Sequence, residues 1–207
     1  MKVFSIGLPK TGTLCVCQAV NHLGIKNIHN PVDANTIGQL KLGEFKLQIL
    51  EGYNGLFDLP SACFYRDYDR TFPGSKFILT TRKRQIRCNL ASIWWNFVLR
   101  LTNLEGIARS ERKSGGSMIF LHAQMFGCVN FDPHRFSRVY DEWHESILSY
   151  FAGRGDDLCL VPTGATNKWE FCAVFCKSQY LASHTLVFTS VDRSLLRRCR
   201  YVNKPAG

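Results

Sequence analysis

Gly7-Leu8-Pro9-Lys10-Thr11-Gly12-Thr13 joins a short β-type run, Val3 to Ile6, to a segment whose apolar spacing is helical from Thr13 to about Leu23. Gly24 supplies a plausible C-terminal stop. A strand that turns directly into a helix presents unpaired N–H groups and the positive end of the helix dipole at the turn. Gly7 and Gly12 allow close backbone approach, the hydroxyls of Thr11 and Thr13 add donors, and Lys10 adds a full positive charge. In an α/β sheet the ligand crevice lies at the carboxyl ends of the strands, so this turn is where phosphate is expected. The order differs from the nucleotide-triphosphate loop GxxxxGK[ST], because Lys10 comes two residues before the second glycine. A Mg-dependent phosphoryl-transfer site needs a Ser or Thr directly after its Gly–Lys pair and a second acidic ligand. Asp58 is the one convincing acidic candidate at a strand end. A lysine facing a bridging oxygen without metal suits a leaving group whose charge lysine alone neutralises. The bland alternative is a tight turn of Pro, Gly and Thr.

Outward from that turn, strands and helices alternate. Residues 36–51 predict an amphipathic helix through Ile37, Leu40, Phe45, Ile49 and Leu50, and Gly55-Leu56-Phe57-Asp58 a brief strand ending at Pro60. Residues 61–71 read as helix, Phe72-Pro73-Gly74 as a turn, and Lys76 to Thr81 as a buried strand. A charged segment then leads into an aromatic helix from about 85 to 101. The polar stretch 103–116, ending in Ser114-Gly115-Gly116, reads as a loop or lid. Asp132-Pro133 opens a helix with Asp as cap and Pro in the first turn, running to Gly153. Asp157 to Val161 is a further strand run stopped by Pro162, and Lys168 to about Phe175 is helical. This alternation predicts a mostly parallel α/β sheet with helices on both faces. Residues 177–207 fit it worst, with a β-like Thr185 to Thr189 and then a basic end.

Composition narrows the partners. The 207 residues, 45% hydrophobic and 20% charged, describe one ordinary globular domain, with or without an appendage. Lys plus Arg is 26 against 16 Asp plus Glu, a net +10 that favours an anionic partner or merely a cationic, soluble surface. The longest greasy region, Leu90 to Leu101, is interrupted by Ser92, Asn96 and Arg100 and falls short of the ~20 apolar residues of a bilayer span. The N-terminal run is too short for a signal-peptide core. Nine irregularly spaced cysteines, with no second CxxC and no His pair, argue against zinc and for reduced, cytoplasmic thiols.

The loop Pro9-Lys10-Thr11-Gly12-Thr13 resembles the PK[ST]GT phosphosulfate-binding loop of the nucleotide-dependent sulfotransferases, closest to a branch of short, single-domain members. Asp58-Leu59-Pro60, the Phe72 to Thr80 stretch, Tyr150-Phe151-Ala152-Gly153-Arg154 and Trp169-Glu170 resemble that branch too. Their order and spacing extend the resemblance from residue 2 to about 176. It implies a three-layer P-loop NTPase-like fold over 1–176, with 177–207 as a divergent basic extension. The implied donor is 3′-phosphoadenosine 5′-phosphosulfate (PAPS), its product the 3′,5′-bisphosphate (PAP), and the acceptor a small hydroxyl or amine compound, with no metal.

By the same resemblance Lys10 contacts the bridging oxygen, while Pro9 and the backbone of Thr11, Gly12 and Thr13 cradle the 5′-phosphate. Arg82, at the end of the third core strand, binds the 3′-phosphate through its fork of donors. The serine the family places eight residues later is Leu90 here, which leaves Ser92 as the nearest substitute. Where many members carry a catalytic His-Leu-Pro, this chain has Asp58-Leu59-Pro60. Asp58 is the expected base if burial raises its pKa toward the working pH, with the alternative that it only caps the next helix. His29 and His122 are the reserves. Arg82-Lys83-Arg84-Gln85-Ile86-Arg87 lacks the aromatic interleaving of a nucleic-acid patch, and a 3′-phosphate plus an acidic acceptor explains it better. Trp94-Trp95-Phe97 is either an acceptor wall or core. A Mg-dependent kinase, a catalytically idle nucleotide-binding module and a nucleic-acid binder are the competing functions.

Overall fold

The computed structural model describes residues 1–103, 109–164, 172, 175 and 176. Five strands form one sheet: β1 (Val3–Ser5), β2 (Asn27–His29), β3 (Gly55–Phe57), β4 (Lys76–Thr81) and β5 (Leu158–Pro162). Their order is β2-β3-β1-β4-β5 and every pairing is parallel. Parallel strands need crossovers on the faces, so alternate residues of each strand enter two different cores. Val3, Phe57, Ile78, Cys159 and Val161 pack with Val16, Cys17 and Val20 of α1 (Thr13–His22) and with Cys172 and Cys176. Phe4, Leu56, Phe77 and Leu79 face the larger core on the other side.

That larger core is covered by α2 (Ala34–Lys41), α3 (Ile49–Gly52), α4 (Leu59–Ala62), α5 (Tyr65–Thr71), α6 (Arg84–Asn103), α7 (Arg109–Phe126) and α8 (Pro133–Tyr150). The expected helix over 36–51 is two helices. Asp33 caps α2 by accepting from the Thr36 amide at 2.9 Å, and Gly43 (φ 74°) ends it. Residues 61–71 likewise divide, into the end of α4 and α5. The loop or lid expected over 103–116 is helical from Arg109 onward. Met118, Leu121 and Phe126 of α7 are buried, and apolar side chains gain about 1.5–3 kcal/mol each on burial. That outweighs the roughly 1 kcal/mol helix penalty of each of Gly115 and Gly116. Strand β2 was not expected at all, so Arg82 follows the fourth strand and not the third.

The Tyr150 to Arg154 segment serves the amino edge of the sheet. Arg154 grips Asp69 with two nitrogens, at 2.7 and 2.9 Å, and reaches Asp157 at 2.9 Å. Lys76 at the start of β4 pairs with Asp157 at 2.9 Å. These ion pairs fix the end of the sheet remote from the loop after β1. Trp143 of α8 donates its indole N–H to the Ile6 carbonyl at 3.1 Å, tying that helix to the residue where the loop begins. No helix among the described residues is long and apolar enough to cross a membrane. The expected helix from Lys168 is described only at residues 172, 175 and 176, which are helical, and the tail 177–207 lies outside the described residues.

Candidate active site at the carboxyl edge of the sheet

Because all five strands run the same way, the segments after them converge on one edge. The chain leaves β1 toward β3 and β2, then crosses to β4 on the other side, so the loop after β1 stands at the switch in strand order. Gly7 is required by crowding: a Cβ there would lie 1.9 Å from Thr80 Oγ1 of β4. Thr11 donates its hydroxyl to the Leu8 carbonyl at 2.6 Å and sits 2.6 Å from Thr80 Oγ1. Thr163, just past β5, donates its hydroxyl to the Thr11 carbonyl and its amide to the Thr81 carbonyl at 2.8 Å. The loop is thus braced by β4 and β5, and Thr163 is a brace that sequence reasoning missed. Lys10 (φ 70°) and Gly12 (φ 95°) take left-handed conformations. Gly12 is the N-cap of α1 and has no side chain to accept from the first amides of that helix.

The threonine hydroxyls, expected to be ligand donors, are instead committed to the protein. Thr13 donates to Asp58 Oδ2 at 2.6 Å. His29 Nε2, at the end of β2, lies 3.2 Å from the same oxygen and 3.1 Å from Thr13 Oγ1. Asp58 Oδ1 accepts from the Leu59 amide at 2.8 Å, as cap of α4, and its own backbone is left-handed (φ 79°). Asp58 is buried. Burial alone would raise its pKa, but the His29, Thr13 and Leu59 interactions prevail and hold it below the ordinary carboxylate value. The condition set for Asp58 as a base therefore fails. An ionised, acceptor-only Asp58 makes Nε2 the protonated nitrogen wherever the His29 ring carries a single proton. The lone pair then sits on Nδ1, which has no partner among the described residues.

Lys10 stands across the site. Its ammonium lies 4.8 Å from the ring centroid of Trp94 on α6. Burial lowers its pKa, and the Asp58 charge partly opposes that shift. Arg82 is clamped by one hydroxyl: its amide donates to Tyr140 Oη at 3.0 Å, and Tyr140 donates to its carbonyl at 2.6 Å. The guanidinium Nε of Arg82 is buried without a partner among the described residues. Helix α6 starts at Arg84, so the turn after Arg82 is short. One turn separates Leu90 from Trp94, which places Leu90 on the face of α6 that meets Lys10, while Ser92 lies about 200° round from Trp94. His122 is buried beside Trp94 at 5.1 Å and stacked on Trp95 at 4.1 Å, with its pKa pushed down to about 3 by burial. Trp95 is core, Trp94 is half-buried against Lys10, and the Phe97 side chain lies outside the described residues.

A five-stranded parallel α/β sheet flanked by helices, with a glycine-capped helix after β1, a lysine in that loop and an arginine after β4, is a P-loop-like architecture. The sulfotransferase domain family model matches residues 2–171, and the chain belongs to that family. No curated protein matches it. The family makes the chain a transferase of sulfonate groups and fits the basic balance of its charge.

Proposed function

We propose that the protein transfers the sulfonate of PAPS to a hydroxyl or amine of a small acceptor, releasing PAP, without a metal ion. The observation that carries this reading is the uncapped start of α1 with Lys10 beside it and Arg82 at the neighbouring strand end. The amides of Gly12 and Thr13, with Pro9 and Thr11 shaping the turn, receive the 5′-phosphate. Arg82, its backbone clamped by Tyr140, receives the 3′-phosphate; Ser92 has no part in it. Lys10 moves from the Trp94 face to the bridging oxygen and neutralises the charge that develops as the sulfur–oxygen bond breaks. His29 Nδ1 accepts the acceptor's proton, while Asp58 orients the ring and stabilises the imidazolium.

Metal independence rests on Asp58. Both of its oxygens are engaged by Thr13, His29 and the Leu59 amide. The domain is taken as residues 1–176, with 177–207 as an extension. Cys15, Cys17, Cys63, Cys88, Cys128, Cys172 and Cys176 are free thiols, which supports a cytoplasmic setting. The partners are the nucleotide and the small acceptor, not nucleic acid or membrane.

The test is mass-spectrometric detection of sulfonated product from PAPS and a panel of alcohols and amines in EDTA. Product that disappears in Lys10→Ala is expected. Transfer of phosphate from ATP that requires Mg²⁺ would replace this reading with a kinase, and donor binding without transfer to any acceptor would leave an idle module.

A further inference from the structure

Arg87, in the first turns of α6, is fully buried. Its Nη1 reaches the Phe136 carbonyl at 3.4 Å, the guanidinium is also hydrogen-bonded to the Cys88 sulfur, and Nε and Nη2 have no partner among the described residues. Two rings face it instead, Tyr140 at 5.0 Å and Phe126 at 5.5 Å from the guanidinium carbon. No carboxylate pairs with it among the described residues. His122 shares the Phe126 wall at 5.2 Å, and among the described residues both of its ring nitrogens are buried and unpartnered, as is the indole nitrogen of Trp95 beneath it. A buried cation without a counter-ion is among the costliest things a core can hold. Here five buried nitrogens on three neighbouring side chains lack partners together.

Position says what would satisfy them. A continuous stack runs from the Lys10 ammonium over Trp94, on to His122 at 5.1 Å from Trp94, then Phe126, then the Arg87 guanidinium. Arg87 also packs against Tyr140, the residue that clamps Arg82. The charge of Asp58 acts on Lys10, Arg87 and His122 alike. We propose that Arg87, with His122 and Trp95, forms an oxyanion subsite that takes the acidic group, a carboxylate, sulfate or phosphate, of the acceptor. The subsite stands on Arg87's own geometry; its assignment to the acceptor rests on the sulfotransferase reading above. The guanidinium fork gives two parallel N–H donors to such a group, and a neutral imidazole adds one more donor.

The first experiment compares thermal unfolding in potassium phosphate and in potassium chloride of equal ionic strength. It uses the full chain carrying Lys10→Ala and Arg82→Ala, with Arg87 or with Arg87→Met. Phosphate is expected to raise the unfolding temperature with arginine and to have no effect with methionine, and the methionine protein should be at least as stable in chloride. An equal phosphate response in both, or an Arg87→Met protein that does not fold, would show a guanidinium that holds the core and waits for no anion. The second experiment compares a hydroxy acid with its methyl ester as acceptor. A tenfold or greater preference in kcat/KM for the acid, collapsing in Arg87→Met, is expected. Transfer with equal rates for acid and ester would overturn the acceptor assignment while leaving the sulfotransferase reading intact. An Arg87-dependent phosphate response in a protein without transfer activity would do the reverse.

Discussion

Helices α1 and α8 begin in opposite ways. At α8, Asp132 accepts from the amides of His134 and Arg135 at 2.9 and 3.0 Å, and Pro133 removes a further donor. At α1, Gly12 caps with no side chain, in a left-handed conformation only glycine adopts freely, and Lys10 stands two residues before it. The first arrangement satisfies a helix within the protein. The second leaves its amides and dipole open at the one edge of the sheet where Lys10, Arg82 and His29 also gather. An unsatisfied helix start is unremarkable at a surface, but one braced by Thr11, Thr80 and Thr163 is held open by the rest of the fold, which is what a fixed anion site requires.

The contrast can be broken most severely by giving α1 what α8 has. Gly12→Asp puts a carboxylate where the 5′-phosphate would lie and is expected to weaken PAP binding about 10²-fold or more, measured by calorimetry; unchanged affinity would place the anion elsewhere. Lys10→Ala should lower kcat by about 10²–10³-fold, the range for losing one preorganised donor at a developing charge, with the fold retained by circular dichroism. Turnover at the wild-type rate would remove Lys10 from the chemistry.

Asp58→Asn tests the orienting carboxylate. It should cut kcat by about 10²-fold with little change in PAP affinity, whereas an unchanged rate would free His29 from its dependence on Asp58. The same variant carries a pH signature. The folded pKa of Asp58 lies below its unfolded value of about 3.9. Its bonds therefore stabilise the fold fully above that pH, and the contribution is lost as pH falls through the folded value. The stability gap between wild type and Asp58→Asn, from urea melts, should narrow below about pH 4; a gap that widens there would mean the carboxyl is protonated when folded. The smallest effect is expected at the closed helix start. Asp132→Ala removes a helix cap and should lower Tm only slightly and leave turnover alone; a loss of activity would show that α8 supports the site through more than packing.

The loop from Gly7 to Thr13 was legible because its chemistry is local: strand, glycine, cation and helix start lie within one turn of chain. The layers and the strand Lys76 to Thr81 followed from local patterning as well. What sequence reasoning missed is non-local. Asn27-Ile28-His29 is too short and polar to read as a strand, yet pairing with β3 makes it one and carries His29 to Asp58. The pKa of Asp58 depended on three partners from three segments, and their sum reversed the expected direction. Gly115 and Gly116 suggested a loop, but burial of Met118, Leu121 and Phe126 decided for a helix. Arg87 read as one more member of a basic run, and only packing of α6 against α8 separates it from its exposed neighbour Arg84, which pairs with Asp141 at 2.6 Å.

Calorimetric titration of EDTA-treated protein with PAP, beside the same titration of Arg82→Ala, tests the central claim most directly. The account predicts binding that is unaltered when Mg²⁺ is restored and at least tenfold weaker without the Arg82 fork. Binding that appears only with Mg²⁺, or that is indifferent to Arg82, would contradict it.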